Sequence, residues 1–188
     1  MTGQQAETST TLRYQTAADL FAALPEIGED IESRPEGHED SPGFARRLLS
    51  GPVPEEAVTF AAQMFNRRVA VWWGHECLRH LGPCLDATDR AMMQRAADWV
   101  TNPSEAPRAE ALSAAMQAEA RTPGVWLALA TGWSGGSIAP AGTSMVPPPR
   151  FLTGRGVNAA ILSALARVPQ RQRQDRLADF LSMAEDLV

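Results

Sequence analysis

The sequence predicts an all-α fold, an irregular bundle of about seven or eight helices with one long Gly/Pro-rich loop. Three observations predict it. Apolar residues step by 3 and 4 in every segment that carries them. No run alternates apolar and polar residues as a half-buried strand would. Glycine and proline stand mostly between the stepped segments rather than inside them.

The elements follow in order. Residues 1–15 are polar and rich in Thr and Gln, and read as a flexible leader; residues 16–188 read as a single helical domain. Thr16 can cap a first helix that carries Ala17, Leu20, Phe21 and Leu24. Pro25 limits it, and Ile27 and Ile31 extend a second short turn. Residues 33–43 (SRPEGHEDSPG) are acidic and rich in breakers, so they form a loop. A short helix with Phe44, Leu48 and Leu49 ends at Ser50-Gly51-Pro52. Pro54-Glu55-Glu56 is a helix-start composition, with a proline early and acids at the positive end of the dipole. Val58, Ala61, Ala62, Phe65, Val69, Trp72 and Trp73 then make one stripe, either a single helix of about five turns or two helices broken near Asn66. Gly82-Pro83 closes it.

Asp86 can cap a helix over 86–100, with Met92, Ala96, Trp99 and Val100 facing inward. Residues 104–120 are Ala-rich and helical from Ser104. Thr122-Pro123 starts a helix with Val125, Trp126, Leu129, Ala130 and Trp133. Residues 134–150 (SGGSIAPAGTSMVPPPR) hold three Gly and four Pro and form the long loop. A compact stripe from Val157 to Val168 follows, Pro169 breaks it, and Leu177, Phe180, Leu181, Ala184 and Leu187 end the chain on a last helix.

Composition removes several function classes. The net charge is −5, which argues against nucleic acid as the main partner. All basic residues are Arg, which excludes Schiff-base and P-loop lysine chemistry. Two cysteines are too few for a disulfide framework. The N-terminus does not read as a signal peptide, and no run of apolar residues is long enough for a membrane span, so the cytoplasm is the expected location.

Three constellations carry chemistry-bearing residues. His75-Glu76-Cys77-Leu78-Arg79-His80 resembles the zinc-protease helix motif, but its histidines are five apart. On a regular helix that sets the rings about 140° apart, so they cannot share one ion. Cys77, His80 and Cys84 step by 3 and 4 and could together ligate zinc. The competing reading makes Cys77 a small core residue of the stripe Val69, Trp73, Cys77, and makes His80 a helix-end group. Gly132-Trp133-Ser134-Gly135-Gly136 matches the G-x-S-x-G pattern of hydrolases, yet every histidine lies upstream and the surrounding segments read as helices. The alternative is that Ser134-Gly135-Gly136 terminates a helix. The tryptophans read mainly as core anchors, with one of Trp72 and Trp73 left as a binding anchor in the alternative.

The segments AVWWGHECLRHL (70–81), AADWVTNPSEAPRAEALSAA (96–115), PGVWLALATGWSGGSIAP (123–140) and VPPPRFLTGRGVNAAILSAL (146–165) together resemble a family of small uncharacterised bacterial helical proteins, over roughly residues 45–185. Members are similar to genes beside type VI secretion clusters. The resemblance implies an accessory or adaptor role and supplies no catalytic residue.

With no intact catalytic motif and no cofactor-binding motif, the sequence leans away from an enzyme. The leading expectation is a cytoplasmic helical adaptor acting through protein–protein contacts. A metal-binding protein using Cys77, His80 and Cys84 stands second, and a serine hydrolase using Ser134 third. The expected partner surface is the loop end, with Pro147, Pro148, Pro149, Arg150, Phe151 and Arg155. A proline triplet is stiff and loses little entropy on binding, and arginine and aromatic residues are frequent interface anchors.

Overall fold

The computed structural model describes residues 11–139 and 143–188. Among them the all-α expectation holds, with ten α-helices, one 3-10 turn and no strand. The helix count exceeds the expected seven or eight for two local reasons. Ile27–Asp30 closes as a helix of its own (α2) after Ala17–Ala23 (α1). The long stripe breaks into Glu56–Met64 (α4) and Arg67–His80 (α5). The break is set at Phe65, whose backbone is extended, and at Asn66, whose Oδ1 accepts the Val69 N–H at 3.0 Å and caps α5.

Ser41–Leu49 (α3) starts under an Asp40 cap. Ala87–Thr101 (α6) starts with a reciprocal capping box between Asp86 and Asp89. Glu105–Gln117 (α7), Pro123–Gly132 (α8), Leu152–Leu165 (α9) and Gln170–Glu185 (α10) complete the bundle. Met93 is the buried methionine of α6; Met92, expected to face inward, is half-buried against a neighbouring cluster.

All nine residues of α4 are buried, which makes it the hub. It packs against α3, α5, α9 and α10. Phe44 and Phe60 meet edge to face at 4.7 Å, and Phe65 and Trp73 lie 5.9 Å apart. Trp73 is 1% exposed, and its Nε1 donates to the Phe180 carbonyl at 3.0 Å, tying α5 to α10. A second, smaller apolar cluster of Ala115, Val125, Ala128 and Leu129 lies between α7 and α8.

Close helix approach depends on small residues. A Cβ on Gly124 would stand 2.3 Å from the Asp89 carbonyl oxygen, so α8 meets α6 backbone to backbone. Asp89 itself is fully buried. It accepts from the Gly124 N–H at 2.8 Å and from Arg167 at 2.7 Å.

The expected leader covers residues 1–15. Residues 1–10 lie outside the described residues, whereas residues 11–15 are docked. Leu12 is 6% exposed and forms an isolated antiparallel bridge with Phe65. The Arg13 N–H donates to the Met64 carbonyl at 2.8 Å, and the Asn66 N–H donates to the Thr11 carbonyl at 2.9 Å. This short pairing uses the backbone groups that the α4–α5 break leaves outside helices. No helix among the described residues is long and apolar enough to cross a membrane.

Candidate functional site

The docked N-terminal segment brings Arg13 and Tyr14 beside the start of α5. There, Asn66 is followed by Arg67 and Arg68 in the first helical turn. The proline run of the long loop delivers Arg150 to the same place. Arg13, Tyr14, Asn66, Arg67 and Arg150 line a cavity of about 330 Å³. Three guanidinium groups therefore converge from positions 13, 67 and 150.

The bonds inside this corner are to neutral acceptors. Arg13 Nη1 donates to the Arg150 carbonyl at 3.2 Å, Arg150 Nη2 to the Tyr14 hydroxyl at 3.0 Å, and Arg67 Nη1 to the Ser134 carbonyl at 3.0 Å. No carboxylate among the described residues ion-pairs with any of the three, while Arg46, Arg47, Arg79, Arg108, Arg155, Arg167 and Arg176 each pair with one. Burial pushes the Arg13 guanidinium down to about 10, with Arg67 and then Arg150 adding like-charge repulsion. Burial and Arg150 lower Arg67 as well. Arg67 and Arg68 also sit at the positive end of the α5 dipole, where cations are disfavoured. The corner carries excess positive charge and N–H donors, each guanidinium being a five-donor fork.

Asn66 also borders a second cavity of about 380 Å³, lined by Arg68, Val69, Trp72, Val100 and Thr101. Trp72 is 37% exposed and stacks on His75, with ring centroids 5.4 Å apart and planes 9° from parallel. The two cavities form one surface along the first half of α5, polar and cationic at one end and apolar at the other.

The residues expected at the partner surface divide. Arg150 reaches the cationic corner. Arg155 turns to α2, where it pairs with Asp30 at 2.7 Å and Glu29 at 3.1 Å and lies 4.4 Å over the Phe151 ring. Phe151 is half-buried beneath it, and its carbonyl accepts from Gln63 Nε2 at 2.9 Å. Pro148 is buried, while Pro147 and Pro149 are exposed. The structure thus brings Arg150, but not Arg155 and Phe151, to the cavity.

The other sequence candidates serve the framework. Cys77 is fully buried in the core, and burial, then Glu76, pushes its thiol well up. His80 faces α10, with Nε2 3.2 Å from Asp179 Oδ2 and 2.9 Å from Arg176 Nη1. Cys84 lies in the 3-10 turn Gly82–Cys84. Among the described residues no three His, Cys, Asp or Glu side chains are grouped as metal ligands. Ser134 donates its hydroxyl to the Thr131 carbonyl at 2.6 Å in the turn that ends α8, and Gly136 has φ of 59° in the same turn. Gly136 stands three residues past the Trp133 C-cap, so its left-handed backbone turns the chain onward from α8 rather than capping the helix.

Arg13, Tyr14, Asn66 and Arg67 were not singled out by sequence as binding residues. One signal was present: two arginines directly after an asparagine cap place like charges against the helix dipole, a local misfit that sequence alone exposes. Residues 44–188 match the model of a family described as a family of unknown function, DUF6931. No curated protein and no solved structure matches the chain.

Proposed function

The chain belongs to the DUF6931 family of unknown function over residues 44–188, and on that premise we propose that it is a helical adaptor or accessory protein that binds another protein along the first half of α5. One observation carries the reading: Arg13, Arg67 and Arg150 converge on one cavity without a carboxylate among the described residues, in a chain of net charge −5. Uncompensated cations that cost stability are retained where a partner supplies the counter-charge. The adjoining Trp72 groove supplies the apolar anchor that interfaces centre on. The partner's chemistry is therefore an anionic group beside an apolar side chain. The neighbourhood of a bacterial secretion machinery is the setting the resemblance implies, and the cytoplasm is the location the sequence pattern leads one to expect.

Affinity capture from a lysate of the source organism, with wild-type protein and the Arg67→Ala and Trp72→Ala variants as baits, tests the reading. Wild type should retain a specific partner that both well-folded variants lose. Equal retention by all three baits moves the interface off α5. A retained partner drawn from the secretion machinery would supply the setting as well.

A further inference from the structure

The cationic corner has a stoichiometry that narrows its occupant. Arg13, Arg67 and Arg150 hold three unit charges around a cavity of about 330 Å³, and among the described residues their hydrogen-bond partners are carbonyl oxygens and the Tyr14 hydroxyl. A carboxylate offers one charge and two oxygens, which a single guanidinium fork satisfies. A phosphate monoester offers about −1.5 to −2 charges at pH 7 and three acceptor oxygens, enough to engage three forks at once. Its negative charge also suits the first turn of α5, where Arg67 and Arg68 now oppose the helix dipole. The cavity is several times larger than the roughly 30 Å³ share of one water molecule, so a tetrahedral group with residual hydration fits.

We propose that the cavity lined by Arg13, Tyr14, Asn66, Arg67 and Arg150 binds a phosphate monoester carried on a serine, threonine or tyrosine side chain of the partner protein. This rests on the adaptor reading above and names the anionic group which that reading leaves open. A protein-borne phosphate is favoured over a free one because the cavity adjoins the Trp72 groove, which takes an apolar residue flanking the phosphorylated position. Nucleic acid is disfavoured because the basic surface is one confined corner on an acidic chain rather than a stripe.

The first measurement is thermal unfolding of the full chain with inorganic phosphate, against chloride at matched ionic strength. At a phosphate concentration on the order of 100 times Kd, Tm should rise by about 5–10 °C. Arg67→Gln and Arg150→Gln should each abolish most of the rise. Arg13→Lys keeps the charge but loses the fork, and should retain part of it. No rise, or an equal rise in wild type and the folded Gln variants, overturns the site. The second measurement compares a degenerate phosphopeptide library with its unphosphorylated counterpart. Phosphorylated members should bind at least about tenfold tighter, with an apolar residue preferred beside the phosphate and the preference lost in Trp72→Ala.

Binding of inorganic phosphate without any phosphopeptide preference leaves free phosphate as the occupant and overturns the protein-borne assignment. Recruitment to phosphatidic acid vesicles in place of phosphopeptides overturns it in favour of a lipid headgroup. In the lysate capture, a partner that survives phosphatase treatment yet is lost with Arg67→Ala keeps the adaptor reading and sinks the phosphate assignment. The cavity lining holds no histidine or carboxylate. Phosphopeptide affinity should therefore increase from pH 5 to pH 7.5 as the ligand's own second ionisation, near pKa about 6, completes.

Discussion

A half-buried guanidinium without a carboxylate weakens the fold that holds it, and the mutual repulsion of Arg13, Arg67 and Arg150 makes that weakening separable by mutation. Replacing Arg67 with Met keeps the aliphatic stem and removes one charge. In low-salt buffer without phosphate, Tm should rise by about 1–3 °C, and the gain should shrink as salt screens the other two charges. An unchanged or lower Tm at low salt would show that the bond from Arg67 to the Ser134 carbonyl outweighs the repulsion. The adjacent tryptophans divide the two alternatives that sequence left open. Trp73 is 1% exposed and bonds the Phe180 carbonyl, whereas Trp72 is 37% exposed. Trp73→Ala should cost about 3–5 kcal/mol in chemical denaturation, and Trp72→Ala below about 1 kcal/mol. Cys77 is fully buried with its thiol pushed well up, and Cys84 is half-buried. Native alkylation should leave Cys77 unmodified until the protein unfolds; rapid labelling of Cys77 in the native state would show that the α5 core opens locally.

At the scale of elements, the contact of α6 with α8 is the most demanding in backbone terms. Gly124→Ala would drive a Cβ to 2.3 Å from the Asp89 carbonyl oxygen, and neither partner is a flexible side-chain end. The expected cost is about 1–3 kcal/mol or more, read as a lower denaturation midpoint with an unchanged slope. Asp89 adds a pH dependence. Burial raises its carboxyl, but hydrogen bonds, those from Gly124, Arg167 and Asp86 among them, more than offset this and hold it below the usual range. Because the folded value is depressed, its stabilisation is fully present above the unfolded value of about 3.9 and is lost as pH falls through the folded one. Asp89→Asn should flatten the acid limb of a stability–pH curve, and an identical limb in the variant would assign acid unfolding to other carboxylates. The same elements show what was legible in sequence. The 3 and 4 stepping placed most of the helices, alanine content placed α7, and the prolines placed the long loop. The break at Phe65 and Asn66 stayed undecided because Phe65 fits the apolar stripe equally well as a helical residue. It is resolved by the docked segment, since Leu12 pairs with Phe65 across the gap.

For the whole molecule, the cationic corner was illegible because its parts are far apart in the chain. Arg150 stood out beside the prolines, but Arg13 lay in a stretch that reads as a polar leader, and only tertiary docking joins them to Arg67. Local pattern carries no information about that convergence. The family match begins at residue 44, yet Arg13 and Tyr14, which line the cavity, come from before it. Removing residues 1–15 should therefore abolish the phosphate-dependent rise in Tm. It should also lower Tm by about 3–10 °C, since Leu12 is 6% exposed and burial of a leucine contributes about 1.5–3 kcal/mol. Retention of the phosphate response by the truncated chain would exclude Arg13 from the site.

Trp72 stacked on His75 gives this surface an optical property. The Trp72 indole lies 5.4 Å from the His75 imidazole with the planes 9° from parallel, so its emission depends on that stacked ring. Of the five tryptophans, Trp72 is the one counted among the exposed large apolar side chains. At a single pH its fluorescence should differ in intensity between wild type and His75→Gln. It should shift to shorter wavelength when an apolar side chain displaces water from the groove. The molecule carries an unlabelled reporter at the face where a partner is proposed to bind, and stopped-flow emission can time that encounter without a dye.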